Sequence, residues 1–342
     1  MDSIYFVTPI QILTLVFLNY FLLKNNLLID NIDIHKHKSF VNNKKIPISG
    51  GLFLIISILF FIKEFDLIYK FLLTSIFVLG LLSDTEKLKS PIIRILFQII
   101  LVLFLIFYNS TFIESTRIFA IDYLIQNFFF FKIFFTVFCI LILINGTNFI
   151  DGVNCLASGY YICIISNLII LINILNLDHS LLSISIIYVA LIIFFVFNFF
   201  SKTLLGDSGC YLIASILGIY LIDFINFYSN IISPYYIILI LWYPAFENLF
   251  SICRRIFIDK NKKLDNPDNL HLHQLLFTIF NRNLKLKKYS NSLSGLIIIS
   301  FNFFIMLIGS QFVNETIKLV YVVLFSLLFY ILVYFFLKKK TQ

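Results

Sequence analysis

Long apolar runs alternate with short polar stretches along the whole chain. Runs close to the roughly 17–25 residues a spanning helix needs fall at 4–23, 46–62, 67–82, 91–108, 128–144, 155–175, 181–200, 210–227, 231–250, 293–308 and 317–337. They are continuous rather than alternating, which excludes transmembrane strands. Helices, which close their backbone hydrogen bonds within the segment, are therefore the expected spanning unit. The pattern predicts an all-α polytopic membrane protein of about 11 spans, at least ten, forming one domain over 1–342 with a long loop at about 253–291. The first run has no basic leader and no small-residue cleavage site after it, so it reads as a retained span.

Composition agrees with this. The chain is 60% hydrophobic and 13% charged, whereas a soluble domain is about a quarter charged. Lys70, Arg94 and Lys132 sit near run ends, where long side chains reach the interface. The five cysteines show no CxxC spacing, which predicts neither a disulfide framework nor a zinc site.

Lys and Arg then orient the spans, because cytoplasmic loops carry their excess. With the N-terminus outside, only Lys63, Lys70, Arg117, Lys132 and Lys318 of the 26 basic residues lie outside. The expected topology is N-out and C-in. The net charge of +8 follows from this orientation and from attraction to anionic membrane lipids, and no motif predicts a nucleic-acid partner.

The same topology puts four polar loops on the cytoplasmic side: SDTEK (83–87), NGTNFIDGVN (145–154), LGDSG (205–209) and PDNLHLHQ (267–274). Asn145, Asn148 and Asp151 recur every third residue, so on a helix they share one side. Such a set can bind a nucleotide or a metal, and Gly152 would admit a ligand close to the backbone. A solvated helix C-terminus is the plain alternative. Asp207, between Gly206 and Gly209, is expected at a helix N-terminus, where free amides and the helix dipole favour phosphates. A carboxylate there suits Mg²⁺, and an ordinary N-cap suits the same residues. His271 and His273 face one way if extended and point apart on a helix; they can contact diphosphate or uracil, bind a metal, or be plain soluble surface. Asp84, Glu86 and Lys87 also fit an ordinary charged turn.

In this order, these segments resemble the polyprenyl-phosphate N-acetylhexosamine-1-phosphate transferase family. The resemblance begins at HKHKSFVNNKKIPISGG (35–51), runs through LGLLSDTEKLKSPIIRILFQ, NGTNFIDGVNCLASG and LLGDSGCYLIASILG, and ends at RR followed by PDNLHLHQLL. It implies transfer of an N-acetylhexosamine-1-phosphate from a UDP-sugar to polyprenyl phosphate, undecaprenyl phosphate in a bacterial cytoplasmic membrane. It also implies a requirement for Mg²⁺, with Mn²⁺ as a substitute, and a homodimer. The product would start a cell-envelope polysaccharide; the related muramoyl-pentapeptide transfer of peptidoglycan synthesis is the alternative.

The resemblance implies catalytic roles for Asp84, Asp151 and Asp207. Asp207 would hold Mg²⁺, with Asn148 as a further ligand. Lys45, Lys87, Asn145, Asn148, Gly206, His271 and His273 would bind substrate.

Four positions depart from the family pattern. Ser83 stands where the first of two adjacent aspartates is usual; Asn269 lies near a usual Arg, Gln274 at a usual His, and Glu247 near a usual Asp. A prenyl phosphate is already largely ionised near neutral pH, its second pKa being about 6 by analogy with phosphoserine, so one carboxylate fewer is compatible with activity. Readings from other classes are a non-catalytic paralogue and a membrane transporter.

Overall fold

The computed structural model describes residues 2–31, 45–177, 181–257, 270–284 and 286–341. Lys36, Lys38, Lys44, Lys260, Lys262, Lys263, Asn269 and Lys285 lie outside the described residues. The helices are α1 (Asp2–Asn25), α2 (Gly50–Phe61), α3 (Leu67–Asp84), α4 (Pro91–Asn109), α5 (Phe119–Asn127), α6 (Phe129–Ile150), α7 (Leu156–Ile174), α8 (Leu182–Phe199), α9 (Gly206–Phe227), α10 (Pro234–Phe257), α11 (Leu272–Arg282), α12 (Ser290–Ser310) and α13 (Thr316–Thr341). A two-stranded antiparallel ribbon joins β1 (Ile29–Asn31) to β2 (Lys45–Pro47), with Ile29 opposite Pro47.

Ten of the described helices are long and apolar enough to cross a membrane. The run at 46–62 is the exception. Pro47 holds the residue before it extended, and the run starts as strand β2 before turning helical at Gly50. At 1.5 Å per residue, the 12 residues of α2 rise only about 18 Å, well short of a hydrocarbon core of about 30 Å. The short helices α5 and α11 fall in stretches that the apolar pattern reads as loop.

Helix α9 is the axis of the bundle: 78% of its apolar window is buried, against 22% for α1, α4 and α13. A helix apolar all round belongs in a core, and α3, α6 and α2 pack on it. The approach of α3 depends on Gly80, where a Cβ would stand 2.3 Å from the Ser208 Cα. Perimeter residues such as Phe6, Leu67, Phe130 and Leu332 expose their apolar side chains, as a lipid-facing surface requires.

Helix α10 continues through Pro244, which cannot donate to the carbonyl four residues earlier. Tyr160 on α7 meets that need, its hydroxyl donating to the Ile240 carbonyl at 2.9 Å. Tyr160→Phe should leave this carbonyl unpaired and cost about 1–3 kcal/mol, read as earlier unfolding in detergent micelles. At the far end of the bundle from the four polar loops, Arg117 donates to Asn314, Thr316 and the Ser229 carbonyl, tying three connections together.

Candidate active site

The polar cluster is built around the first turn of α9. Gly206 has φ +75°, and a Cβ there would stand 2.5 Å from Ile48 and 2.8 Å from an Asp84 oxygen, so only glycine fits this turn. Asp84, the last residue of α3, is aimed at the turn. Its Oδ1 accepts from the Asp207 amide at 2.8 Å, and its Oδ2 accepts from the Ser208 amide at 3.1 Å and the Ser208 hydroxyl at 2.7 Å. Two α9 amides expected to be open to a phosphate are thus taken by Asp84. Asp207 is not the N-cap; it stands in the first turn with its carboxylate free of the helix backbone.

That carboxylate collects three donors from three other helices. Ser83 on α3 donates to Asp207 Oδ2 at 2.5 Å, Arg94 on α4 approaches the same oxygen at 3.3 Å, and Asn148 on α6 donates to Oδ1 at 2.5 Å. Arg94 also donates to the Ser83 hydroxyl at 2.7 Å. The Asp207 and Arg94 side chains remain 24% and 26% exposed, so the pair is open to a solute.

Helix α6 runs to Ile150, so Asn145 and Asn148 are helical and Asp151 caps the end. Asn145 faces α4, donating to Gln98 at 3.1 Å. Arg94 and Gln98 are four residues apart on one α4 face and meet α9 and α6 there. Asp151 lies beside the Cys210 thiol of α9. The following turn is held by Asn198, which accepts from the Cys155 amide at 2.5 Å, and by Asn291, which accepts from the Asn154 amide at 2.6 Å.

The histidines form a second, buried group on the other side of the α6 terminus. His271 is the extended N-cap of α11 and His273 lies in its first turn, which lets their rings stack at 5.4 Å and 7°. Phe149 packs on His271. Gly152 backs onto His273: a Cβ there would stand 2.2 Å from its Nε2. His271 Nδ1 pairs with Glu247 Oε1 at 2.9 Å, and Tyr330 on α13 donates to Glu247 Oε2 at 2.7 Å. Gln274 completes the capping box by accepting from the His271 amide at 3.1 Å.

Burial, and then the neighbouring His271, lower the His273 pKa to about 3, against an opposing pull from Glu247. A depressed base binds fewer protons folded than unfolded below pH 6.5, so stability falls as pH drops through that range toward 3. A His273→Asn variant should show a shallower acid slope in urea titrations between pH 6.5 and 4.5.

Of the residues picked out from sequence, the structure gathers Asp84, Asn148, Gly206 and Asp207 at one point, with Asn145 and Asp151 flanking. His271 and His273 stand together behind the α6 end. Lys45 and Lys87 are exposed and touch neither group; Lys45 donates to Asn26 at 3.0 Å. Ser83 and Glu247, noted in the sequence only as departures, both take part. Arg94 and Gln98 are additions whose visible signal was an Arg and a Gln at helical spacing in an apolar run.

Comparison with known proteins bears on this arrangement. Residues 67–225, which span α3 to α9 and hold the cluster, match the sequence model of glycosyl transferase family 4. Through that stretch the chain is similar to glycosyl transferase family 4. A curated Bacillus subtilis (strain 168) protein named "Probable undecaprenyl-phosphate N-acetylglucosaminyl 1-phosphate transferase" is 26% identical over 253 residues, covering 69% of this chain and 67% of its own length. The histidine group lies beyond the family 4 match, on α10, α11 and α13.

The residues of the cluster fit a hard cation. Asp207, with Asn148 beside it and Asp151 flanking, presents oxygen, the donor type Mg²⁺ takes, while the Asp84 oxygens are occupied by the α9 turn. Among the described residues no three His, Cys, Asp or Glu side chains form a cage.

Proposed function

We propose that this chain is a member of glycosyl transferase family 4 that transfers an N-acetylhexosamine-1-phosphate from a UDP-sugar to undecaprenyl phosphate, giving undecaprenyl-diphospho-sugar and UMP. The observation that carries the reading is Asp207, partly exposed and shared by Ser83, Arg94 and Asn148 from three helices. The relative's name points to the same reaction and to N-acetylglucosamine as the first donor to try.

Phosphoryl transfer depends on positioning and charge neutralisation more than on covalent help. An acceptor phosphate oxygen forms the new bond to the donor's β-phosphorus, and the bond from that phosphorus to the UMP oxygen breaks. Arg94 supplies a fixed cation beside the reacting groups. Asp84 holds the α9 turn so that Asp207 keeps its position, and Asn148 orients the Asp207 carboxylate. A bound Mg²⁺, held by Asp207 with the Asn148 oxygen as second ligand, would neutralise the diphosphate charge. The His271–Glu247–Tyr330 chain would present a rigid imidazole to the nucleotide-sugar. The acceptor's tail has a matching surface: an apolar groove of about 280 Å³ between α6, α9 and α10, lined by Ile142, Leu143, Leu221, Ile225, Ile238 and Leu241. Its lining runs from Ser115 and Thr116 to Ile142, which is three residues before Asn145.

The lysine and arginine distribution supports an N-out, C-in topology in a bacterial cytoplasmic membrane, with the site facing the cytoplasm, where nucleotide sugars are made. The purified protein with undecaprenyl phosphate and Mg²⁺ should release UMP with UDP-N-acetylglucosamine or a related UDP-N-acetylhexosamine, and chelation should stop it. Absence of turnover with every donor would overturn the proposal.

Ser83 motivates the second reading, a non-catalytic paralogue. In the active reading, Ser83→Asp adds a carboxylate next to Asp207 that competes for Arg94, so turnover falls or stays level. A Ser83→Asp variant that gains activity from an inert parent would establish the paralogue instead.

A further inference from the structure

Outside both groups, a cavity of about 250 Å³ lies at the same end of the bundle, between the last turns of α1, strand β2 and the end of α8. Its wall includes Val16, Asn19, Leu23, Lys45, Phe197 and Lys202. Both lysines are exposed. Among the described residues, neither has a carboxylate within ion-pair distance, and the one bond made by Lys45 goes to Asn26. Asn19 accepts at its Oδ1 from Ser49 at 2.5 Å, so its Nδ2 remains a donor. Val16 and Leu23 are 46% and 41% exposed, so the apolar wall continues onto the outer, lipid-facing surface of the bundle.

We infer that this cavity binds the phosphate head group of an anionic phospholipid, with an acyl chain along α1 and α8. Two lysine ammonium groups and an amide donor make a cationic pocket with an apolar exit, the complement of a charged head on a hydrocarbon tail. Lysine serves phosphate as a point charge, and basic residues near a membrane attract anionic lipid within a Debye length. None of the lining residues belongs to the Asp84–Asp207 cluster, and the groove proposed for the acceptor's tail lies on α6, α9 and α10 instead. The occupant is therefore a resident lipid rather than the reacting one. The inference stands independently of the transferase reading.

Native mass spectrometry of the full chain, titrated with phosphatidylglycerol or phosphatidylcholine, tests it. Wild type should hold one phosphatidylglycerol selectively. Lys45→Gln with Lys202→Gln should weaken that site roughly thirtyfold, about fivefold per lysine. Lys45→Arg with Lys202→Arg should keep it, which also shows that the site tolerates substitution. Lys338→Gln with Lys339→Gln, on the α13 tail, should not change it. Equal phosphatidylglycerol binding by the Gln pair and wild type would overturn the inference. So would displacement of that lipid by undecaprenyl phosphate at matched concentrations, which would make the cavity an acceptor site.

Discussion

Asp207→Asn is expected to lower UMP release by at least about a hundredfold, the scale on which removal of one well-placed electrostatic group acts. The fold should survive, because Asp84, not Asp207, satisfies the α9 amides. The asparagine would keep one acceptor oxygen for Ser83 but lose the charge that faces Arg94. Arg94 would then stand beside a neutral amide, and the oxygen set for a divalent cation would lose its only carboxylate open at the centre of the cluster. The measurement is turnover against Mg²⁺ concentration with unfolding monitored in parallel. Full Mg²⁺-dependent activity in Asp207→Asn would remove Asp207 from the cation site.

Glu247→Ala should be strongly destabilising, at about 3–5 kcal/mol, because it removes a buried carboxylate that two other buried groups share and strands those partners. Glu247 is 1% exposed, His271 6% and Tyr330 2%. Its removal leaves the His271 ring nitrogen and the Tyr330 hydroxyl without their shared acceptor. Glu247→Gln keeps an oxygen and the shape and should cost less. If His271 contacts the donor, the Gln variant should also raise KM for the UDP-sugar at temperatures where it remains folded. Unfolding midpoints of the two variants in detergent, with KM measured well below them, separate the structural loss from the positioning loss.

Much of the fold is legible in the chain because lipid allows few solutions. Ten continuous apolar runs became ten long helices. The eleventh failed to become one because Pro47, the contact of Gly50 with Phe194 and the Leu204–Leu205 turn, and the contact of Gly51 with α9 hold its first residues in a strand and a close-packed turn. The lysines and arginines predict an orientation for the spans. The site was legible only in part. Asp84, Asn148 and Asp207 stand out as polar residues at span ends, and the structure joins them. What each one does was not legible, since Asp84 caps a helix more than 120 residues away and no local spacing encodes that. Arg94 reads in the sequence as a cation reaching the interface from a run end, and its approach to Asp207 follows from the packing of α4 on α3 and α6. Glu247 and Tyr330, 83 residues apart, were hidden for the same reason: a buried polar network is a property of packing, and the sequence shows its members only as isolated polar residues in apolar runs.

The most direct test of the account follows one atom. A UDP-N-acetylhexosamine labelled at its β-phosphorus, incubated with the protein, undecaprenyl phosphate and Mg²⁺, should deliver the label to the chloroform-soluble lipid product and leave unlabelled UMP in water. Label remaining in water as UDP while sugar enters the lipid would show sugar transfer without its phosphate, and would contradict sugar-1-phosphate transfer at Asp207.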